Sequence, residues 1–134
     1  MLTFELNWLA ILVSVVANMI IGAVWYGVFA QPWMDGIGKT REDIEANQSF
    51  VPYLIAILNS FLMAFVLANV LVWTGVTGIG GGLLVALLMW LGFNGFSFAS
   101  NHAFEGRSFK LWLINSGTYL VGLLVMGLIL SVWR

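Results

Sequence analysis

Cysteine and charge are what this sequence has least of. Its 134 residues include no cysteine, one histidine, five Lys or Arg and six Asp or Glu. Without cysteine the chain forms no disulfide, no iron–sulfur cluster and no thiol redox centre. The charged fraction of 8% is far below the roughly 25% of a soluble domain, so too few charges exist to cover a surface that faces water. A net charge of −1 argues against a nucleic-acid partner.

Apolar runs of helix length fill the rest of the chain. They are Leu6–Ala30, Val51–Trp73, Gly80–Ser100 and Phe109–Val132, and the only charged residue inside them is Lys110. A bilayer core of about 30 Å needs about 20 apolar residues per helical span. Only helices and closed barrels satisfy every backbone group in lipid, and the runs lack the alternation of barrel strands. We therefore predict an all-α integral membrane protein, with four transmembrane helices in one antiparallel bundle over residues 1–134.

Basic residues predict the orientation of this bundle. Lys39, Arg41, Arg107 and Lys110 follow the first and third runs, whereas Arg134 is alone on the opposite side. Loops rich in Lys and Arg stay in the cytoplasm. We expect loops one and three to be cytoplasmic and both termini to lie outside.

The first loop contains its own helix signals. Pro32 and Gly38 predict that the helix breaks after the first run. Thr40 followed by Asp43 resembles a capping box, in which a side chain and a backbone N–H satisfy each other reciprocally. A short polar helix is expected near 41–47.

Small residues recur every four positions in three of the runs. The ladders are Ala10, Ser14, Asn18 and Gly22; Ala56, Ser60, Ala64 and Ala68; and Gly78, Gly82 and Ala86. Residues four apart share a helix face, and small residues on that face let two backbones approach closely in lipid. The ladders predict tight packing within the bundle; the alternative is contact between protomers of a homo-oligomer or with a membrane partner.

One asparagine lies well inside each run: Asn18, Asn59, Asn94 and Asn115. An amide in hydrocarbon is unfavourable unless it is hydrogen-bonded. At about 1.5 Å per residue, the last three lie roughly 9–12 Å from the proposed cytoplasmic ends, and Asn18 lies near the midplane. We expect Asn94 and Asn115 to pair directly or through one water.

Helical angles of about 100° per residue gather polar residues into stripes. The stripes are Ser14, Asn18, Gly22 and Trp25 on the first helix, Trp90, Asn94, Ser97 and Asn101 on the third, and Ser108, Asn115, Thr118 and Gly122 on the fourth. Such stripes face protein or water rather than lipid. They predict one polar cavity in the cytoplasmic half of the bundle, although for the mid-span Trp90 core packing is the first interpretation.

The segment after the third run is the richest in chemistry. It holds His102, the only histidine, with Glu105 and Arg107 close behind, and we expect the three to lie together. Histidine side chains titrate near neutral pH. One histidine and one carboxylate make a poor metal site, since catalytic zinc usually has three protein ligands. A hydrogen-bonded helix connection with a Glu105–Arg107 ion pair, a substrate or ion contact, and a metal site remain open.

Three stretches resemble a known family. They are Asn-Met-Ile-Ile-Gly-Ala-Val-Trp-Tyr-Gly at 18–27, Pro-Trp-Met at 32–34, and Phe-Glu-Gly-Arg-Ser at 104–108 running into Ile114 and Asn115. The chain is similar over nearly its whole length to the small bacterial membrane proteins grouped as domain of unknown function 1761. The resemblance implies a four-span integral membrane protein, and we expect its location to be the bacterial inner membrane. It implies no activity, catalytic residue, metal or cofactor.

Three functions follow as hypotheses. The first is a small transport or ligand-binding unit, and the second is a structural or accessory membrane protein. The third is an intramembrane enzyme, for which only His102 with Glu105 offers acid–base chemistry. The candidate ligand-binding residues are Asn18, Trp25, Asn59, Trp90, Asn94, Asn101, His102, Glu105, Arg107, Asn115 and Tyr119.

Overall fold

The computed structural model describes all 134 residues and contains helices without strands. The α-helices are α1 (Trp8–Val28), α2 (Ala30–Ile37), α3 (Arg41–Ala46), α4 (Val51–Thr74), α5 (Gly78–Trp90), α6 (Phe96–Phe104) and α7 (Phe109–Val132). A π-helical segment, Leu91–Gly95, joins α5 to α6, so Gly78–Phe104 is one continuous helix, called here the third span. With α1, α4 and α7, it gives four helices long and apolar enough to cross a membrane, which confirms the predicted fold class.

Contacts between helix ends show that neighbouring spans run antiparallel. Asn7, before α1, donates its side-chain N–H to the carbonyl of Trp133 at the end of α7, 3.4 Å away. At the other end, the Trp25 indole N–H in the last turns of α1 donates to the carbonyl of Ile114 in the first turns of α7, at 2.8 Å. We call the two sides the terminal half, with residues 1–7 and 132–134, and the loop half, with residues 29–50 and 105–108.

The sequence specifies three of the seven α-helix starts, those of α1, α3 and α7, through side-chain caps. The Asn7 side chain accepts from the Ala10 N–H at the start of α1, and the Ser108 hydroxyl accepts from the Leu111 N–H at the start of α7. Such caps satisfy N–H groups that have no partner within the helix. The Thr40–Asp43 capping box is formed at the start of α3, as predicted.

The chain bends at Phe29 and begins a second helix instead of an open loop. Pro32 stands in the first turn of α2, where its missing N–H is not needed. Gly36 lies against Leu111 so closely that an added Cβ would be 2.9 Å from a methyl carbon of that side chain. Since Met34 is also buried, α2 covers the start of α7 at the loop end.

The fourth span is the centre of the bundle. In its most apolar window 44% of residues are buried, against 17–33% in the other spans. Small residues make this packing close: Ala10, Ser14, Ala64 and Ala86 are fully buried, and Gly82 faces Gly127. Seven of the eleven ladder residues therefore pack inside the bundle, as their spacing predicts: Ala10, Ser14, Ser60, Ala64, Ala68, Gly82 and Ala86.

The π-helical segment changes the direction in which the side chains of the third span face. The Trp90 ring folds over Gly95, where an added Cβ would be 2.6 Å from the ring. A π-helix bonds residue i to i+5, so each π-turn holds more residues than an α-turn. Residues after Gly95 consequently face in a direction that a uniform α-helical period does not predict.

Candidate functional site

A cavity of about 840 Å³ opens in the loop half between α1, α4 and α7. Six of its lining residues carry polar side chains deep in the bundle: Asn18, Tyr26, Asn59, Ser60, Thr118 and Tyr119. The others are Met19, Gly22, Ala23, Gly27, Pro52, Tyr53, Ile55 and Ala56. No charged side chain lines the cavity, so it is a neutral polar space inside an apolar shell.

The inner end of the cavity is a bridge between α1 and α4. The Asn18 amide N–H donates to the Ser60 hydroxyl at 2.8 Å, and that hydroxyl donates to the Ala56 carbonyl at 2.9 Å. One turn nearer the loop end, a Cβ added to Gly22 would meet nothing within 4 Å. The two helices thus touch at Asn18 and leave open space beside Gly22.

The wall formed by α4 and α7 has unused hydrogen-bonding capacity. The Asn59 amide N–H lies 3.4 Å from the Tyr119 hydroxyl oxygen, a long contact. The Tyr119 hydroxyl donates to no protein acceptor, and the Thr118 hydroxyl makes no hydrogen bond. These groups face a cavity in a medium where polar groups need partners. The wall therefore offers free donors and acceptors to a ligand.

A buried hydrogen-bonded chain lies behind this wall. The Tyr26 hydroxyl donates to Asn115 Oδ1 at 3.0 Å, and Asn115 Nδ2 lies 3.3 Å from His102 Nε2. With Oδ1 used as the acceptor, Nδ2 is the donor to Nε2, an arrangement that assigns the proton of a neutral imidazole to Nδ1. Nδ1 is buried and has no partner. The cavity is thus connected through Tyr26 and Asn115 to the only histidine.

The third span shows where the predicted stripe was wrong. Ser97 and Asn101 are exposed, whereas Phe98 and His102 turn inward. The inward positions follow the predicted ones by one residue, as expected if the π-helical segment adds one residue to a turn. The Phe98 ring contacts both His102, with ring centres 6.0 Å apart, and Tyr119, at 5.5 Å.

The asparagines do not share one cavity. Asn18 and Asn59 line it, but Asn94 and Asn115 do not. The predicted direct pair between Asn94 and Asn115 is not formed, because Asn115 pairs with Tyr26 and His102. The carbonyl oxygen of Asn94 is buried without a partner.

Tryptophans join the spans by donating to backbone carbonyls. The Trp90 indole N–H donates to Ser116 at 2.9 Å, and that of Trp112 donates to Gly95 at 2.7 Å. Trp25 donates to Ile114 and its ring lies over Gly117. An indole buried in this way finds an acceptor while its ring packs, so these three side chains hold α1 and the third span against α7.

The turn after the third span is a hydrogen-bonded helix connection with an ion pair, the simplest of the three alternatives that the sequence left open. Glu105 and Arg107 form an ion pair of 3.3 Å in which both side chains are substantially exposed. The backbone N–H of Arg107 donates to the His102 carbonyl at 2.9 Å, and Gly106 has a φ of 70°, which favours glycine. The His102 ring points inward to Asn115, so the expected cluster of all three side chains is not formed. No three His, Asp or Glu side chains converge on a metal-binding arrangement.

Tyr26 was missed by sequence reasoning although the signal was present. It follows Asn18 and Gly22 at four-residue spacing, so these three residues share one face of α1. The predicted polar stripe on this helix ended at Trp25 instead of the adjacent Tyr26. Tyr53 was missed because it lies at the start of α4, outside any stripe.

The helices and the cavity define the class of the protein: a multi-pass helical membrane protein with a neutral polar cavity in one half. The family described as Protein of unknown function (DUF1761) matches residues 9–131. The match covers nearly the whole chain, so the chain belongs to this family. No curated protein and no solved structure matches the chain.

Proposed function

We propose that the protein binds a small uncharged polar or amphipathic molecule in the cavity between α1, α4 and α7, as a ligand-binding or transport unit of the bacterial inner membrane. One observation carries the proposal. The cavity of about 840 Å³ has hydroxyl and amide groups with hydrogen-bonding capacity that the protein does not use, and it has no charged group. Ligand sites typically occupy about 300–1,000 Å³ and combine apolar walls with a few polar groups.

The available groups suggest how the ligand is held. Tyr119 has a hydroxyl proton to donate, and Tyr26 has lone pairs to accept because its own proton goes to Asn115. Asn59 adds an amide whose only contacts are long. A hydrogen bond from a ligand to any of these groups contributes more here than it would in bulk water, because the surrounding lipid offers no alternative partner.

The same proposal includes the orientation. Lys39, Arg41, Arg107 and Lys110 all belong to the loop end, which the positive-inside rule assigns to the cytoplasm. The cavity then receives its ligand from the cytoplasmic half of the membrane, with both termini outside. A reporter fused after Arg134 tests this, since activity of a cytoplasmic reporter there would contradict it.

The two other hypotheses receive less support. The small-residue ladders, on which a partner contact depended, are used inside the bundle. An enzymatic pair of His102 and Glu105 is not assembled, because His102 turns toward Asn115 and Glu105 pairs with Arg107.

Native mass spectrometry of the protein released from mild detergent tests the binding proposal. The wild-type chain is expected to retain a small molecule as a discrete added mass. Gly22→Phe fills open space in the cavity and should abolish that added mass. Gly92→Phe is the matched control, since an added Cβ there also meets nothing within 4 Å and Gly92 does not line the cavity. A bare wild-type mass, or equal retention by Gly22→Phe, would contradict the proposal.

A further inference from the structure

A second, wholly apolar groove adjoins the cavity on the surface between α1 and α4. Its volume is about 420 Å³, and it is lined by Val15, Val16, Met19, Ile20, Ala23 and Ile57. Met19 and Ala23 also line the polar cavity. The two spaces therefore share a wall, and one occupant can extend through both.

The groove has a direction. From Ala23 to Val15 it follows two turns of α1, about 12 Å at 1.5 Å per residue. It leads from the cavity in the loop half toward the terminal half, past the level of Asn18. Val16, Ile20 and Ile57 are exposed on its walls, so the groove is open to lipid along its length and an occupant can enter sideways from the bilayer.

We infer that the ligand is an amphiphile with an uncharged hydrogen-bonding head and an apolar chain. The head lies in the cavity against Tyr119 and Asn59, and the chain lies in the groove between α1 and α4. This inference rests on the proposed function and names the class of its ligand. A charged head is excluded because neither space has a charged side chain to pair with it, and burying an unpaired charge is costly.

A photoactivatable hexadecanol with a diazirine at mid-chain tests the inference on the protein in lipid nanodiscs. Saturable adducts are expected on Val16, Ile20 or Ile57. Ile57→Trp blocks the groove and should reduce saturable labelling by about tenfold, the effect of an overpacking cost on binding. Leu58→Trp is the matched control, because Leu58 is the next residue, is similarly exposed and lines neither space. Hexadecanoic acid with the same diazirine should label the groove about tenfold less.

The outcomes separate this inference from the function on which it rests. Saturable adducts confined to cavity residues such as Ile55, and unaffected by Ile57→Trp, would uphold binding and overturn the placement of the chain. Equal labelling by the acid would overturn the uncharged head. Adducts spread evenly over lipid-facing residues, Leu58 included, without saturation, would overturn both the inference and the proposed function.

Discussion

The terminal and loop halves of the bundle both place glycine on helix faces that point into the bundle, but the surroundings of Gly82 and Gly22 are opposite. A Cβ added to Gly82 in the terminal half would be 2.7 Å from the Gly127 carbonyl oxygen, whereas one added to Gly22 in the loop half would meet nothing within 4 Å. The third span and α7 therefore approach closely at Gly82, whereas α1 leaves open space at Gly22. A small residue permits contact between helices, but the atoms of the neighbouring helix decide whether the space is filled or left as a cavity.

Polar groups differ between the halves in the same way. Asn69 in the terminal half is fully buried, accepts from the Thr3 N–H at 2.7 Å and donates to the Phe65 carbonyl at 3.1 Å. In the loop half, Asn94 Oδ1 and His102 Nδ1 are buried without partners, and in the terminal half Ser14 Oγ is. Since buried polar groups normally have partners, the loop half, with two of these three atoms, is the less completely hydrogen-bonded of the two.

The largest expected effect is a loss of stability from overpacking in the terminal half. Gly82→Ala places a methyl group 2.5 Å from Ser131 Cβ and 2.7 Å from the Gly127 carbonyl oxygen. Overpacking of this kind costs about 1–3 kcal/mol, so thermal unfolding in detergent should occur at a lower temperature. Gly80→Ala, with open space around its Cβ, should cause no loss. Unchanged stability of Gly82→Ala, or an equal loss from both variants, would contradict the close contact of α5 with α7.

The next effect is in the loop half. Asn115→Leu leaves the Tyr26 hydroxyl and His102 Nε2 without their shared partner. Interhelical hydrogen bonds in membranes are worth about 1–2 kcal/mol in model peptides, and the unfolding temperature should fall accordingly. Asn101→Leu is the control, because Asn101 is exposed and its side chain makes no hydrogen bond. Unchanged stability in Asn115→Leu would contradict the buried chain.

A smaller effect tests the π-helical segment. Gly95→Ala would put a methyl group 2.6 Å from the Trp90 ring and displace the indole from the Ser116 carbonyl. Loss of one such hydrogen bond costs about 0.5–1.5 kcal/mol, and the Trp90 indole N–H should exchange faster with solvent deuterium in NMR spectra. Gly92→Ala lies in the same segment with open space around its Cβ and should leave exchange unchanged. Slow exchange in both variants would contradict the account.

The smallest effect is confined to α3, which lies in the loop half but outside the spans. The Thr40 backbone N–H, and then its hydroxyl, lower the pKa of the exposed Asp43 carboxylate. A lowered folded-state pKa stabilises α3 above the ordinary pKa of aspartate, and that stabilisation is lost as pH falls through the lowered value. The amide signal of Thr40, whose N–H donates to the Asp43 carboxylate, should therefore shift with acid while the amide signals of the spans remain. Asp43→Asn should remove the shift at Thr40; a Thr40 signal that is insensitive to acid in the wild type would contradict it.

Local rules predict much of this molecule from its sequence. The four spans, the Thr40–Asp43 box and the burial of Ala64 and Ala86 follow from span length, capping and four-residue spacing. The cavity in the loop half follows in part, since Asn18, Asn59 and Tyr119 line it.

The rest depends on packing that no local pattern records. The π-helical segment exists where Trp90 folds over Gly95 and reaches Ser116 on another helix. It moves His102 inward and Asn101 outward, so angles counted along a uniform helix are wrong beyond it. The open space beside Gly22 likewise depends on how α1 packs on α4 beyond the Asn18–Ser60 bridge.

Single cysteines give the most direct test of an open loop half beside a closed terminal half, because the natural chain has none. Ala56→Cys places a thiol in the cavity, and Ala64→Cys places one two turns further along α4 in the close-packed half, where Ala64 is fully buried. A membrane-impermeant thiol reagent should label Ala56→Cys in folded protein and leave Ala64→Cys unlabelled until the protein is denatured. Equal labelling of the two, or protection of Ala56→Cys in folded protein, would contradict the account.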